Sequence, residues 1–195
     1  MFKLDFPSEK FIEDYLEYCM AAHAVCPIDD RNVDHFLRQH EIKGYGRTDL
    51  IKFYISPGLL EVVILELKNE ILNEIHLAQL ARYLVGAKWQ AKRYARRFPG
   101  YEIEVRGQLA GPFDPSANDL VWSLEQAQGI EAFSISLDME SGFKAEEIQK
   151  GWHKTNQDLR GAMPIAEELA PRIFALEEAL DEFEACGKQE VQESI

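Results

Sequence analysis

Cysteine is scarce in this chain. There are three, Cys19, Cys26 and Cys186, and none belongs to a Cys-x-x-Cys pair. An odd, scattered set excludes a disulfide framework or a zinc knuckle and reads as buried or inert thiols. Long apolar runs are missing too. The longest oily stretch, residues 62–67, falls far short of the roughly 20 residues a membrane-spanning helix needs. The opening Met1-Phe2-Lys3-Leu4-Asp5 has no signal-peptide pattern. No internal repeat is visible. These absences predict a protein of the cytoplasm with no membrane partner. Positive charge is also in deficit: 21 Lys and Arg stand against 34 Asp and Glu, a net charge of −13. An evenly acidic surface would repel phosphates. The charge is uneven, however. Acids crowd the two ends, whereas Arg82, Lys88, Lys92, Arg93, Arg96, Arg97 and Arg106 sit mid-chain.

What the chain does have is apolar residues, 46% of it, enough for one domain with a sizeable core and an appendage. Ser8 is placed to cap a helix over residues 9–22, where Phe11, Ile12, Tyr15, Leu16 and Cys19 recur at helical spacing. A short second helix is expected over 31–38. Lys52-Phe53-Tyr54-Ile55, the turn Ser56-Pro57-Gly58 and the run from Leu60 to Lys68 predict a hairpin spanning 47–68, its second strand covered on both faces. A long helix over 74–97 follows, stopped by Pro99-Gly100. Then come a strand over 101–109, a helix over 116–128 and a strand over 130–137. Taken as helix, three strands, helix, strand, helix, strand (αβββαβαβ), with the hairpin supplying two of the first three strands, the order predicts an α/β sandwich around a mixed sheet flanked by helices.

Three predicted elements carry the chemistry. Asp49 begins one strand of the hairpin and Glu66 ends the other, so the turn brings two carboxylates together. Lys68, two residues on, shares Glu66's side of the strand. Gln79 and Tyr83, four apart on the long helix, share a face. His76 lies near that face and reads as a helix-surface residue. Phosphodiester cleavage needs an activated water, a neutralised phosphate and a stabilised leaving oxygen, and divalent cations supply all three. A magnesium ion asks for hard oxygen ligands, commonly one or two carboxylates.

Gly46-Arg47-Thr48-Asp49-Leu50, then Glu66-Leu67-Lys68, then Gln79-Leu80-Ala81-Arg82-Tyr83, resembles the PD-(D/E)XK nuclease superfamily with its downstream Q-x-x-x-Y. The likeness is greatest to the RecB-like branch and the NucS mismatch endonucleases. It extends over residues 8–138 and includes Val105-Arg106-Gly107-Gln108-Leu109. The resemblance implies a restriction-endonuclease-like core and Mg²⁺ or Mn²⁺ held by Asp49 and Glu66. It implies catalytic parts for Lys68, Gln79, Tyr83 and a glutamate of the first helix. Glu9 is the choice, because Ser8-Glu9-Lys10 is similar to that family segment, and Glu13 is the rival. The proline that names the motif is absent before Asp49, as in much of this branch. The four cysteines that hold an iron–sulfur cluster in some relatives are not here.

The expected function is therefore metal-dependent hydrolysis of DNA, with RNA left open as substrate. Arg47, Arg82, Lys88, Lys92, Arg93 and Arg96 are the candidate phosphate contacts. The alternative is an inactive nuclease-fold protein that binds nucleic acid or protein. The nuclease-like domain is drawn over residues 1–140 and a C-terminal helical extension over 141–195. In that extension Ala166, Leu169, Ile173, Leu176, Leu180 and Phe183 step by three and four. Pro171 suits the first turn of its main helix. Such a stripe must pack, either on the core or in a homodimer.

Overall fold

The structure is a computed structural model. It describes residues 3–4, 8–23, 25–95, 100–116, 118–138 and 142–148. Helix α1 (Glu9–His23) begins where Ser8 Oγ accepts the backbone N–H of Phe11 at 3.2 Å, the expected cap. A small hairpin of β2 (Val25–Cys26) and β3 (Arg31–Asn32) follows. Next come β4 (His35–Ile42), β5 (Gly46–Ser56) and β6 (Leu59–Leu67). Helix α2 (Glu74–Ala95) leads to β7 (Glu102–Gly111), and α3 (Asn118–Gln126) to β8 (Ile130–Asp138). Strands β1 (Lys3–Leu4) and β9 (Gly142–Glu147) both pair with β8.

Among the described residues the main sheet has seven strands, in the order β1-β8-β7-β6-β5-β4 with β9 also on β8. Strands β4, β5 and β6 form an antiparallel meander, and β6, β7 and β8 run parallel. Parallel neighbours need crossover connections, and α2 and α3 supply them. The sheet is mixed and the class α/β, as the patterning implied. No helix among the described residues is long and apolar enough to cross a membrane.

Each face of the sheet has its own core. Ile51 and Ile64 pack with Leu77, Leu80 and Leu84 of α2. Leu50, Leu65 and Leu67 pack with Ile12, Leu16 and Met20 of α1. Strand β6 therefore reads as apolar throughout its centre because both of its sides are covered. Gly86 is what lets α2 settle. A Cβ there would lie 2.4 Å from Cδ2 of Tyr45 and 2.6 Å from Cγ2 of Ile42.

Two expectations change. Residues 31–38 are not a helix: they form β3 and the first half of β4. The reason is tertiary. Strand β5 has an edge whose backbone needs a ladder partner, and His35 to Arg38 supply it opposite Phe53 to Leu50. The sheet also continues past residue 140, since β9 pairs with β8 from Phe133↔Glu147 to Asp138↔Gly142. The stripe from Ala166 to Phe183 lies outside the described residues.

On the α1 side, Lys52 is fully buried. Its ammonium donates to Asp29 Oδ2 at 2.9 Å and to Gln108 Oε1 at 2.5 Å. Burial pushes the Asp29 carboxyl up, but Lys52 and Gln108 outweigh it and hold it below the usual carboxylate range. The pair pins the β2–β3 hairpin to the sheet, and both charges stay buried only because they are matched.

Candidate functional site

The ladder between β5 and β6 ends at Leu50↔Leu65. One step beyond, Asp49 and Glu66 stand at facing positions. The next β6 donor is taken by a side chain: Leu67 N–H donates to Asp49 Oδ2 at 2.7 Å. The expected pair thus meets where the hairpin's open ends converge, and both residues are buried.

Lys68 and Gln79 converge on one oxygen of Glu66. Lys68 Nζ donates to Glu66 Oε1 at 2.7 Å and Gln79 Nε2 donates to it at 2.6 Å. Gln79 Nε2 also donates to the Tyr83 hydroxyl at 2.9 Å. The i, i+4 spacing on α2 thus puts both side chains on one face, where Gln79 pairs with Glu66 and Tyr83. Glu66 Oε2 is buried with no hydrogen-bond partner. An orphaned acceptor in an otherwise satisfied cluster points to something that binds there.

The first helix contributes both candidate glutamates. Glu9 Oε1 lies 3.9 Å from Lys68 Nζ. Glu13 is buried and tied up, accepting from Arg38 Nε at 2.8 Å and Gln39 Nε2 at 2.7 Å. Of the two, Glu9 is the one beside the lysine. Glu13 acts through Gln39, whose Nε2 also reaches Asp49 Oδ1 at 3.4 Å.

Gln39 is a site residue that the sequence did not disclose. Its φ is +49°, in the left-handed region that costs a residue with a side chain about 1–3 kcal/mol. The β4–β5 ladder pairs Arg38↔Leu50 and His40↔Thr48 and passes over Gln39. The turned backbone carries its amide toward Glu13 and Asp49 instead of the expected ladder position.

Electrostatics follow from burial. Desolvation raises the Asp49 carboxyl to about 6, against the Leu67 amide and Lys68, which lower it. Desolvation and then the neighbouring Asp49 charge raise Glu66 to about 7. Burial works against the Lys68 ammonium, but the Glu66 hydrogen bond prevails and holds it above its ordinary value. Two carboxyls thus sit in a pocket short of positive charge.

That shortage, with the free Oε2, is the setting a hard divalent cation fits. Among the described residues no group of three His, Cys, Asp or Glu side chains is close enough to enclose a metal. The protein could supply Asp49 and Glu66 and leave the other positions to water and phosphate, as magnesium sites commonly do.

The remaining candidates divide. Arg82 lies beside Tyr83, its Cζ 5.3 Å from the ring centroid. Both lie against Gly46, where a Cβ would meet Tyr83 Cε1 at 2.9 Å, so the turn at Gly46 sits over the middle of α2. Arg47 is exposed. Lys88, Lys92 and Arg93 are exposed farther along the helix, about 14–21 Å from Gln79 at 1.5 Å per residue. Arg96 lies outside the described residues. His76 is buried, not on the surface. Its Nδ1 accepts the Asn73 backbone N–H at 3.3 Å and its Nε2 meets Glu70 at 2.9 Å. It therefore braces the turn between Lys68 and α2.

Compared with family models, curated proteins and solved structures, the chain matches none.

Proposed function

We propose that this chain is a metal-dependent nuclease that hydrolyses phosphodiester bonds of DNA, built on a restriction-endonuclease-like core of the PD-(D/E)XK kind. The observation that carries the reading is the buried pair Asp49 and Glu66, both held above their ordinary pKa, with Glu66 Oε2 unpartnered. The order α1, β4-β5-β6, α2, β7, α3, β8 is compatible with such a core.

Asp49 and Glu66 are the residues that would hold Mg²⁺ or Mn²⁺. When bound, the ion would offset the two carboxylates and lend Lewis-acid charge to the scissile phosphate. Gln79 fixes Glu66 through Oε1, which leaves Oε2 for the ion. Lys68 keeps its proton in this acidic setting, so it serves as a cation that orients the attacking water or offsets phosphate charge. The Tyr83 hydroxyl accepts from Gln79, and its own proton remains for a phosphate oxygen or a water. Glu9, 3.9 Å from Lys68 Nζ, helps place that ammonium. Arg82, beside Tyr83, and the exposed Arg47 next to Gly46 would serve as phosphate contacts.

The test is digestion of single-stranded, double-stranded and branched DNA, and of RNA, with Mg²⁺ or Mn²⁺, comparing the natural chain with Glu66→Ala. Metal-dependent cutting of DNA by the natural chain alone is expected. Binding without cutting, with either metal, would make the chain the inactive, binding relative instead.

A further inference from the structure

The α2 side of the sheet is only partly covered. Beyond Ala87 the helix leaves an apolar cavity of about 550 Å³ over β4 to β7. Its floor is Leu37, Phe53, Ile55, Leu60, Val62 and Ile103, and the polar lining side chains are His40, Gln90 and the tyrosine at 101. Ile55 and Tyr101 are exposed there. Leaving such side chains in water forgoes the gain that drives folding, and a contiguous apolar hollow of this size marks a binding surface.

We propose that the chain's own C-terminal segment, residues 171–184, docks as a helix in this groove. Three observations select that occupant. The first is fit. Ile173, Leu176, Leu180 and Phe183 recur at steps of three, four and three, the anchor pattern of a helix laid in a groove. From Ile173 to Phe183 such a helix runs about 15 Å. The floor from Leu60 through Val62 to Ile64, alternate residues of β6 on one face, runs about 13 Å.

The second is charge. Glu177, Glu178, Asp181, Glu182 and Glu184 share the segment with Arg172 as its one basic residue. On α2, Ala87, Gln90 and Ala91 line the groove, and Lys88 and Lys92 stand one position on, exposed along its rim. A basic rim beside an apolar floor is the complement of an apolar stripe with acidic flanks.

The third is where the described chain ends. Ile148 is buried in the same α2-side core as Ile42, Ile51 and Ile64, all three of which line the groove. Its N–H bonds Ala132 O at 2.8 Å. Ile148, the last described residue, is therefore on the groove's own face of the sheet. A tethered segment acts at a high effective concentration, an advantage a second copy lacks. The inference is independent of whether the chain cuts DNA.

The experiment uses the full chain. Unlabelled and ¹⁵N-labelled proteins are denatured together and refolded as an equal mixture, treated with a carbodiimide that joins amines to carboxylates in direct contact, and mapped by mass spectrometry. The expected result is amide links from Lys88 or Lys92 to carboxylates in 177–184, in peptides of one isotope only. Mixed-isotope links would place a second copy in the groove and overturn the proposal, as would the absence of links to Lys88 and Lys92. Ile173→Ser with Leu176→Ser changes none of the residues of the two described cores, and circular dichroism checks that the fold is kept. It should lower the yield of these links about tenfold or more, the factor a lost buried side chain is worth. An unchanged yield would show that charge alone brings the groups together and would also overturn the docking.

Discussion

Asp49 and Glu66 are poised between two protonation states, and that gives the site a signature in stability. Their folded values, about 6 and about 7, lie above those of free carboxyls. The folded state thus binds protons more tightly than the unfolded one, and stability falls as pH rises from about 4 through about 7. Glu66→Gln removes the charge and keeps the shape. It should stabilise the metal-free protein by on the order of 1–2 kcal/mol at pH 8. The gain should vanish near pH 4, where Glu66 is already neutral; thermal melts across pH test both. Asp29 has the opposite sign. Its carboxyl is held low, so its contribution is present above the free value and is lost as pH falls through the folded one. Gln39 separates structure from function. Gln39→Gly relieves a φ of +49° and loses bonds to Glu13 and Asp49. Strain relief and lost hydrogen bonds are each about 1–2 kcal/mol, so stability should change little. Metal affinity or cleavage should fall about 10–100-fold, as when an outer support of a metal ligand is lost. Asp49, Glu66, Lys68, Gln79 and Tyr83 were legible as a group because each sits at a fixed offset on a regular element. Gln39 was not, because it works by leaving the regular geometry of its strand.

Helix α2 binds site to core, and its approach depends on a missing side chain. Gly86→Ala gains up to about 1 kcal/mol of helix propensity. It also drives a Cβ to 2.4 Å from the Tyr45 ring, and overpacking of that kind costs about 1–3 kcal/mol. The clash should win, and urea denaturation should show a net loss of stability. Tyr45 adjoins the Gly46 turn that leads to Asp49, so cleavage should fall as well. Elements with their own periodicity were readable in advance: α1, α2, α3 and the β5–β6 hairpin all formed within a few residues of expectation. The segment 31–38 was not. Its sequence does not exclude a helix, and the deciding term is the unpaired edge of β5, which no local pattern reveals. The buried Lys52 was equally hidden, because its partners Asp29 and Gln108 come from β2–β3 and β7.

Across the whole molecule, an acidic chain carries four basic residues, Arg82, Lys88, Lys92 and Arg93, along one helix. Arg47→Ala with Arg82→Ala, neither of which lines the apolar groove, should weaken DNA binding. They should also flatten the fall of log affinity with log salt, by about one unit per lost phosphate contact. Binding isotherms at several salt concentrations measure this. Lys88→Ala with Lys92→Ala, whose ammonium groups the proposed docking engages with residues 177–184, should change that affinity little. The α/β class and the mixed sheet could be read from the order of periodic segments. The extent of the sheet could not, because β9 pairs through its backbone and carries little apolar signal. The proposed function rests on chemistry at Asp49, Glu66 and Lys68. The most direct measurement is single-turnover cleavage of end-labelled DNA with Mn²⁺, with binding measured on the same samples, for the natural chain, Asp49→Ala, Glu66→Ala and Lys68→Ala. If the proposed function holds, the natural chain cleaves and the three variants do not, all folded and all still binding DNA. A natural chain that leaves every substrate intact, or variants that cut at its rate, would contradict it.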